Sequence, residues 1–179
     1  VFAQGWLGQN GNYNVWDITD DWSDSTNPNG LWSYNGNNEI PITTHVNNWV
    51  NIHAAGQPAW APSNGDVPGW AKINGVCTWA DMPIGSVVTH AAAGGSSSVT
   101  WTSPIEGVIV ISGNIWMPRD IDRQLDWVMT HDGGVFTGGR LIPTAATIPI
   151  QTWNAGQEWV DGLDQSVNPN LPWTYRVGG

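Results

Sequence analysis

Apolar residues in this chain recur in short alternating runs, the pattern of β-strands with one buried face. Residues 99–102 alternate between apolar and polar side chains. Residues 123–131 do the same and place Leu125, Trp127 and Met129 on one face of a predicted strand. Both runs are too short for a typical helix, so we predict strands at both positions.

A nearly continuous apolar stretch at residues 107–117 predicts an inner strand covered on both faces. Gly133 and Gly134 predict a hairpin turn after residues 123–131, and residues 171–177 alternate again. Helical periodicity is not sustained anywhere, and 22 Gly and 12 Pro interrupt the chain. We therefore predict one all-β domain over residues 1–179, an antiparallel β-sandwich or jelly roll with long Asn-, Gly- and Trp-rich loops.

Charge narrows the range of partners. Only 11% of the residues are charged, and 15 acidic residues against 5 basic ones give a formal net charge of −10. Without a basic stripe the chain cannot displace counterions from phosphates, which argues against nucleic acid and against anionic membrane surfaces. No apolar run of about 18 residues occurs, so no membrane span is expected.

Fourteen tryptophans are the main anomaly in the composition. Trp101, Trp116 and Trp127 lie in strand-like runs and are expected in the core. Tryptophan in a loop is harder to bury and serves equally well to stack on a sugar or to anchor a subunit contact. The residues expected at a ligand or an interface are Trp6, Trp16, Trp22, Trp49, Trp60, Trp70, Trp173 and Tyr175.

An acidic run near the start is the candidate metal site. Asp17, Asp20, Asp21 and Asp24 supply the oxygen ligands that calcium prefers. Their spacing is not that of an EF-hand, and Asx turns explain the same residues without a cation. No cofactor is expected, and a structural calcium ion at this run is the one alternative. No catalytic motif accompanies the run, so the chain is predicted not to be an enzyme.

Two segments of the chain echo each other. Residues 27–34 and 168–175 both begin with Asn-Pro-Asn and reach a Trp-x-Tyr sequence, and each follows an acidic, tryptophan-bearing lead. One interpretation is a favoured turn that opens an aromatic strand. The other is a pair of equivalent edge hairpins, which would give head-to-tail contacts between copies.

The first of these segments resembles a known group of proteins. Residues 21–34 read Asp-Trp-Ser, three further residues, and Asn-Pro-Asn-Gly-Leu-Trp-Ser-Tyr. This resembles the opening of uncharacterised exported bacterial β-sandwich proteins, many of which carry a C-terminal sorting tail of the PEP-CTERM type. Residues 90–107 and 113–139 are similar to two further segments of the same group.

The resemblance has departures. Asn35 stands where the group has Gly after the Tyr, His90 is followed by Ala-Ala instead of Pro-Gly, and the sorting tail is missing. The resemblance implies an extracellular or cell-surface sandwich with carbohydrate affinity or a matrix role. Export would use a signal peptide that this chain lacks.

These observations lead to two functional hypotheses. The first is a secreted structural protein that self-associates into a filament, sheath or matrix, with residues 1–25 as an N-terminal extension or edge strand that pairs with a neighbouring copy. The alternative is a carbohydrate-binding module that uses loop tryptophans to hold polysaccharide. Neutral amides and exposed indoles suit both.

Overall fold

β-Strands are the main regular secondary structure in a computed structural model that describes residues 2–6, 13–52, 56–76, 82–106, 109–118, 124–141 and 151–154. These residues form twelve strands and two short 3-10 turns, and no α-helix occurs among them. No helix in this described part is long and apolar enough to cross a membrane. The all-β prediction is confirmed, and the sheets are antiparallel. The strands are β1 (Phe2–Trp6), β2 (Tyr13–Asp17), β3 (Trp32–Asn35), β4 (His45–Val46), β5 (Ala59–Trp60), β6 (Gly69–Lys72), β7 (Val87–His90), β8 (Ser98–Trp101), β9 (Ile109–Ile115), β10 (Leu125–His131), β11 (Gly134–Leu141) and β12 (Gln151–Asn154).

The chain divides into two compact units. The first combines residues 1–14 with residues 108–179, and the second is the continuous segment 15–107. Strand β2 contains the residues at which the chain passes from one unit to the other. The expectation of a single domain over residues 1–179 stays a prediction.

In the first unit, the long apolar run forms an inner strand. The sheet order is β12-β9-β1-β2, so β9 lies between β12 and β1 as predicted. Asn114 on β9 is exposed, so the strand is not covered on both faces along its whole length. Strand β1 lies between β9 and β2, and β2 is the outer strand of this sheet among the described residues. The expectation that residues 1–25 form an N-terminal extension or an edge strand that takes part in assembly stays a prediction.

Strands β10 and β11 form a separate two-stranded ribbon. The alternating pattern predicted this hairpin correctly, but its turn is Asp132-Gly133, one residue earlier than expected. Both turn residues have positive φ, 49° and 75°, as a tight hairpin turn requires. Trp127 and Leu141 are buried on the inner face.

The second unit contains the sheet β4-β5-β6-β7 and the ribbon β3-β8. Its strands are short, so loop residues complete the core. The 3-10 turns are Asn37–Glu39 and Val50–Ile52. One buried cluster packs a large ring against small side chains; its members are Trp49, Ala59, Ala61, Ala71, Ile73 and Met82.

The Asn-Pro-Asn-Gly segment is a turn that opens β3. The Asn27 side chain donates to the carbonyls of Tyr34 (2.7 Å) and Ile42 (2.8 Å) and accepts from the Tyr34 N–H (2.9 Å). Asn29 and Trp32 exchange main-chain hydrogen bonds across the turn. The simpler interpretation of this segment is confirmed for its first copy, while the second copy lies outside the described residues.

Gly69 in β6 lies against the buried ring of Trp49, so a substitution there tests how tightly that ring is packed. A Cβ at Gly69 would overlap the six-membered ring of Trp49, whereas a Cβ at Gly65 would meet no atom within 4 Å. We expect Gly69→Ala to lower the free energy of unfolding by about 2 kcal/mol or more, because Trp49 is fully buried and cannot swing away. Gly65→Ala is the matched control and is expected to change it by less than about 0.5 kcal/mol. Urea unfolding measures both, and equal stability of the two variants would contradict the packing.

Candidate functional site

Three of the tryptophans expected to meet a partner are instead in the interior. Trp49 is 0% exposed, Trp60 3% and Trp70 7%. Since a ring enclosed by its own chain offers no face to a sugar or a subunit, this corrects the expectation for Trp49, Trp60 and Trp70.

Their burial leaves no indole donor unsatisfied, because main-chain carbonyls accept from their N–H groups. Trp49 donates to the carbonyl of Asp66 (2.9 Å), Trp60 to that of Ser23 (2.8 Å) and Trp70 to that of Asn35 (2.9 Å). A buried N–H without an acceptor costs free energy, and these bonds remove that cost. The sequence pattern had no means of indicating that the loops fold over the rings.

Of the remaining predicted aromatic residues, the structure describes the burial of Trp16 and Trp22. Trp16 and Trp22 are half-buried. Trp16 stacks against Trp101 with a centroid distance of 5.3 Å. The side chain of Trp6, together with Trp173 and Tyr175, lies outside what the structure describes. Of the three tryptophans predicted for the core, Trp127 is buried, and Trp101 and Trp116 are half-buried.

The acidic run folds into local hydrogen bonds. Asp17 Oδ1 accepts from the N–H (2.8 Å) and the hydroxyl (2.9 Å) of Thr19, which is an Asx turn. Asp21 Oδ2 accepts from Trp32 Nε1 (2.9 Å). Asp20 is exposed. Among the described residues, no group of three or more His, Cys, Asp and Glu side chains is arranged to hold a metal ion.

Trp22, Asp24 and His45 meet at the surface of the second unit, and we call them the Trp22 site. Asp24 Oδ1 accepts from Trp22 Nε1 (2.9 Å) and lies 3.3 Å from His45 Nε2. The Trp22 ring lies against Tyr34, with a centroid distance of 4.4 Å. The side chains of His45 and Asp24 are 20% and 50% exposed. The structure thus brings two of the predicted residues together with a histidine that the sequence did not single out.

The electrostatic environment of this site is acidic. Burial, followed by the negative charges of Asp21 and Asp24, raises the pKa of the Tyr34 hydroxyl well above its ordinary range. That hydroxyl is buried and has no hydrogen-bond partner among the described residues. Lys72 approaches the same loop but donates to the Thr19 carbonyl at 2.5 Å. The loop nevertheless has more acidic than basic groups, because Asp17, Asp20, Asp21 and Asp24 outnumber this one ammonium.

Comparison with known proteins adds no relative. No protein-family model, no curated protein and no solved structure matches this chain.

A second surface, the outer face of the β10–β11 ribbon, was not predicted as a site. Val128 is 63% exposed and Val135 66% exposed on this ribbon. Arg140 donates from Nε to Asp126 Oδ1 (2.5 Å) and from an Nη atom to Asp126 Oδ2 (2.9 Å). The signal was present in the sequence, because the alternation of residues 123–131 puts Val128 in an otherwise polar row.

The hydrogen bonds of the acidic run predict its response to a chelator. Asp17, Asp21 and Asp24 each accept from protein donors, and among the described residues no group of three or more carboxylates and histidines is arranged around a cation, so we expect EDTA to leave the Tm unchanged. A cation present at a concentration of 100 times its Kd would add about 2.7 kcal/mol to the free energy of unfolding. Its removal would lower the Tm by roughly 5–10 °C. A fall of that size in EDTA, reversed by added calcium, would establish the cation site that the sequence suggested.

The Asp126–Arg140 pair predicts a shifted titration. The hydrogen bond from Arg140 holds the pKa of Asp126 below its ordinary value of 3.8. The pair therefore contributes to stability above pH 3.8, and the contribution is lost as the pH falls through the lower folded-state pKa.

NMR titration of the Asp126 carboxyl carbon checks the direction of this shift. Arg140→Gln is expected to return the midpoint towards 3.8. Gln124→Ala removes only the other partner of Arg140, at 3.1 Å, and is the matched control that should keep the midpoint low. An unshifted midpoint in the unmodified chain would show that the pair does not form in solution.

Proposed function

We propose that this chain is an extracellular structural β-protein that self-associates through the β10–β11 ribbon. The observation that supports this is that, within the described part of the chain, these two strands pair only with each other. Their outer edges carry N–H and C=O groups that a further strand can pair with. Low charge and the resemblance to exported bacterial proteins support the extracellular location.

Strand β10 is the better of the two edges for pairing. Its seven residues include no Pro and no Lys, two common means of protecting an edge. On β11 the register skips one residue between Thr137 and Val135, and such a bulge bends the strand and interrupts pairing. An added strand is therefore expected along β10.

A second copy of this chain is the partner that fits. Two identical edges pair antiparallel about a two-fold axis, which is the commonest symmetry of protein dimers. With the axis through the middle of Leu125–His131, Val128 lies opposite Val128 of the second copy, and Asp126 lies opposite Thr130. Arg140 neutralises Asp126, so the net charge of −10 does not bring like charges together at this edge.

The finer fold that we propose remains a β-sandwich or jelly roll. In the second unit, Tyr34 of β3 and Trp70 of β6 lie 6.3 Å apart between centroids, and Trp70 donates to the carbonyl of Asn35. Strands from different sheets therefore meet through aromatic rings, as the two layers of a sandwich do. The proposed role involves surfaces and no catalysis.

The pairing predicts a charge-dependent association. Val128→Lys would set two lysines opposite each other, and like charges in that position oppose pairing. We expect sedimentation velocity to show concentration-dependent association of the unmodified chain, and Val128→Lys to require at least about tenfold higher concentration. Because Val128 is 63% exposed, the stability of the monomer should change by less than about 0.5 kcal/mol.

Two controls separate this pairing from a general effect of charge. Val135→Lys adds the same charge to the ribbon but lies on β11, and it should associate like the unmodified chain. A mixture of Val128→Lys and Val128→Glu chains should recover association, because opposite charges then face each other. A chain that stays monomeric at all concentrations, or a mixture that fails to associate, would contradict the proposal.

A further inference from the structure

We propose that the Trp22 site binds one unit of a neutral sugar. This inference is independent of self-association, because it concerns the second unit and none of the ribbon residues. The sequence left carbohydrate binding as an alternative function, and this inference gives it a place on the chain. Four features favour such a ligand: the aromatic face of Trp22, the hydrogen-bond acceptors beside it, the acidic charge of its loop and the packing of Tyr34 behind the ring.

The indole of Trp22 provides a fixed aromatic surface. Tyr34 packs against the ring at 4.4 Å and is itself 0% exposed, so the contact supports the ring from the interior. Trp22 is half-buried and retains surface that a ligand can reach. The apolar C–H face of a pyranose ring stacks on such a surface, while its hydroxyl groups extend past the edge.

Asp24 and His45 offer two candidate hydrogen-bond acceptors for sugar hydroxyl groups. A carboxylate only accepts, so the contact between Asp24 Oδ1 and His45 Nε2 requires the proton on Nε2. In neutral His45 the other ring nitrogen, Nδ1, is then an acceptor. Asp24 Oδ2 is the second acceptor, since Oδ1 takes the hydrogen bond from Trp22. A ligand that donates two hydroxyl groups satisfies both.

The direction of the Trp22 hydrogen bond favours a sugar over a cation. An N–H bond lies in the plane of its ring, so the bound carboxylate of Asp24 is beside the Trp22 ring and not above it. A cation centred above the ring would be attracted by the aromatic face but would be displaced from this carboxylate. A pyranose covers the face and reaches the carboxylate at the same time.

Charge selects a neutral sugar over an acidic one. Asp20 and Asp21 flank Trp22 in the chain, and residues 17–45 contain no Lys or Arg. The one nearby cation, the Lys72 ammonium at the Thr19 carbonyl, offsets a single charge and leaves the carboxylates of Asp17, Asp20, Asp21 and Asp24 in excess. A uronic acid or a sulfated sugar would therefore meet uncompensated negative charge.

The loop that carries the site is held in place before any ligand arrives. The Ser23 hydroxyl accepts from the N–H groups of Ser25 and Thr26, both at 3.1 Å. The Ser23 carbonyl accepts from buried Trp60 at 2.8 Å. The His45 ring lies against Trp60, edge to face, at 4.9 Å. Because these contacts fix the binding groups, little conformational entropy remains to be lost on binding.

The test is affinity electrophoresis and calorimetry of the full chain with named probes. The neutral probes are hydroxyethyl cellulose, mannan and dextran; alginate is the anionic probe and choline chloride the cationic one. We expect at least one neutral polysaccharide to bind and both charged probes to fail. Asp24→Asn keeps an oxygen for the Trp22 N–H but replaces the free acceptor, Oδ2, with a donor. We therefore expect the affinity for the sugar to fall by about tenfold or more.

Matched variants make the outcome decisive. Asp20→Asn removes the same charge from the same loop, on a side chain that is exposed and outside the site, and should bind like the unmodified chain. Trp22→Phe keeps a ring on Tyr34 but reduces the stacking surface, and should also weaken binding; near-UV circular dichroism and the Tm verify folding. Binding to choline alone, no binding to any neutral probe, or equal binding by Asp24→Asn and Asp20→Asn would each overturn the proposal.

Discussion

The hydrogen bond between an indole N–H and a loop oxygen is the interaction on which the second unit depends. Trp49, Trp60 and Trp70 donate to main-chain carbonyls, while Trp22 and Trp32 donate to carboxylates. The bonds of the buried rings remove the cost of an unsatisfied donor. All of these bonds except that of Trp70, whose acceptor lies in β3, also fix a loop segment, so these contacts stabilise the core and order the surface.

This arrangement explains how strands of two to four residues can form a stable unit. Short strands bury little surface by themselves, and the rings supply what is missing. Small residues make room for them: Ala59, Ala61 and Ala71 are fully buried around Trp49, and Gly69 lies directly against its ring. The alternation of large and small side chains keeps the packing dense where the chain is mostly loop.

The sequence predicted the elements that local rules determine. The β10–β11 hairpin and the turn that opens β3 follow from alternation and from turn-forming residues, and both are present. Trp60 and Trp70 lie in β5 and β6 and not in loops as expected. Their burial was missed because their acceptors are far away in the chain, 37 residues for Trp60 and 35 for Trp70. His45 was missed for the same reason, as 21 residues separate it from Asp24. The pattern of apolar and polar residues describes the faces of single elements and does not indicate which distant residues form hydrogen bonds with each other.

The distribution of charge suggests why the two proposed surfaces are different in kind. The carboxylate of Asp126 on the ribbon has a guanidinium partner, whereas Asp17, Asp21 and Asp24 in the second unit have only neutral donors or a histidine. Two copies of the acidic loop would repel each other, so contacts between copies are disfavoured there. The same unneutralised carboxylates remain available as acceptors for hydroxyl groups. Neutralised charge thus suits the surface proposed for assembly, and free acceptors suit the one proposed for a sugar.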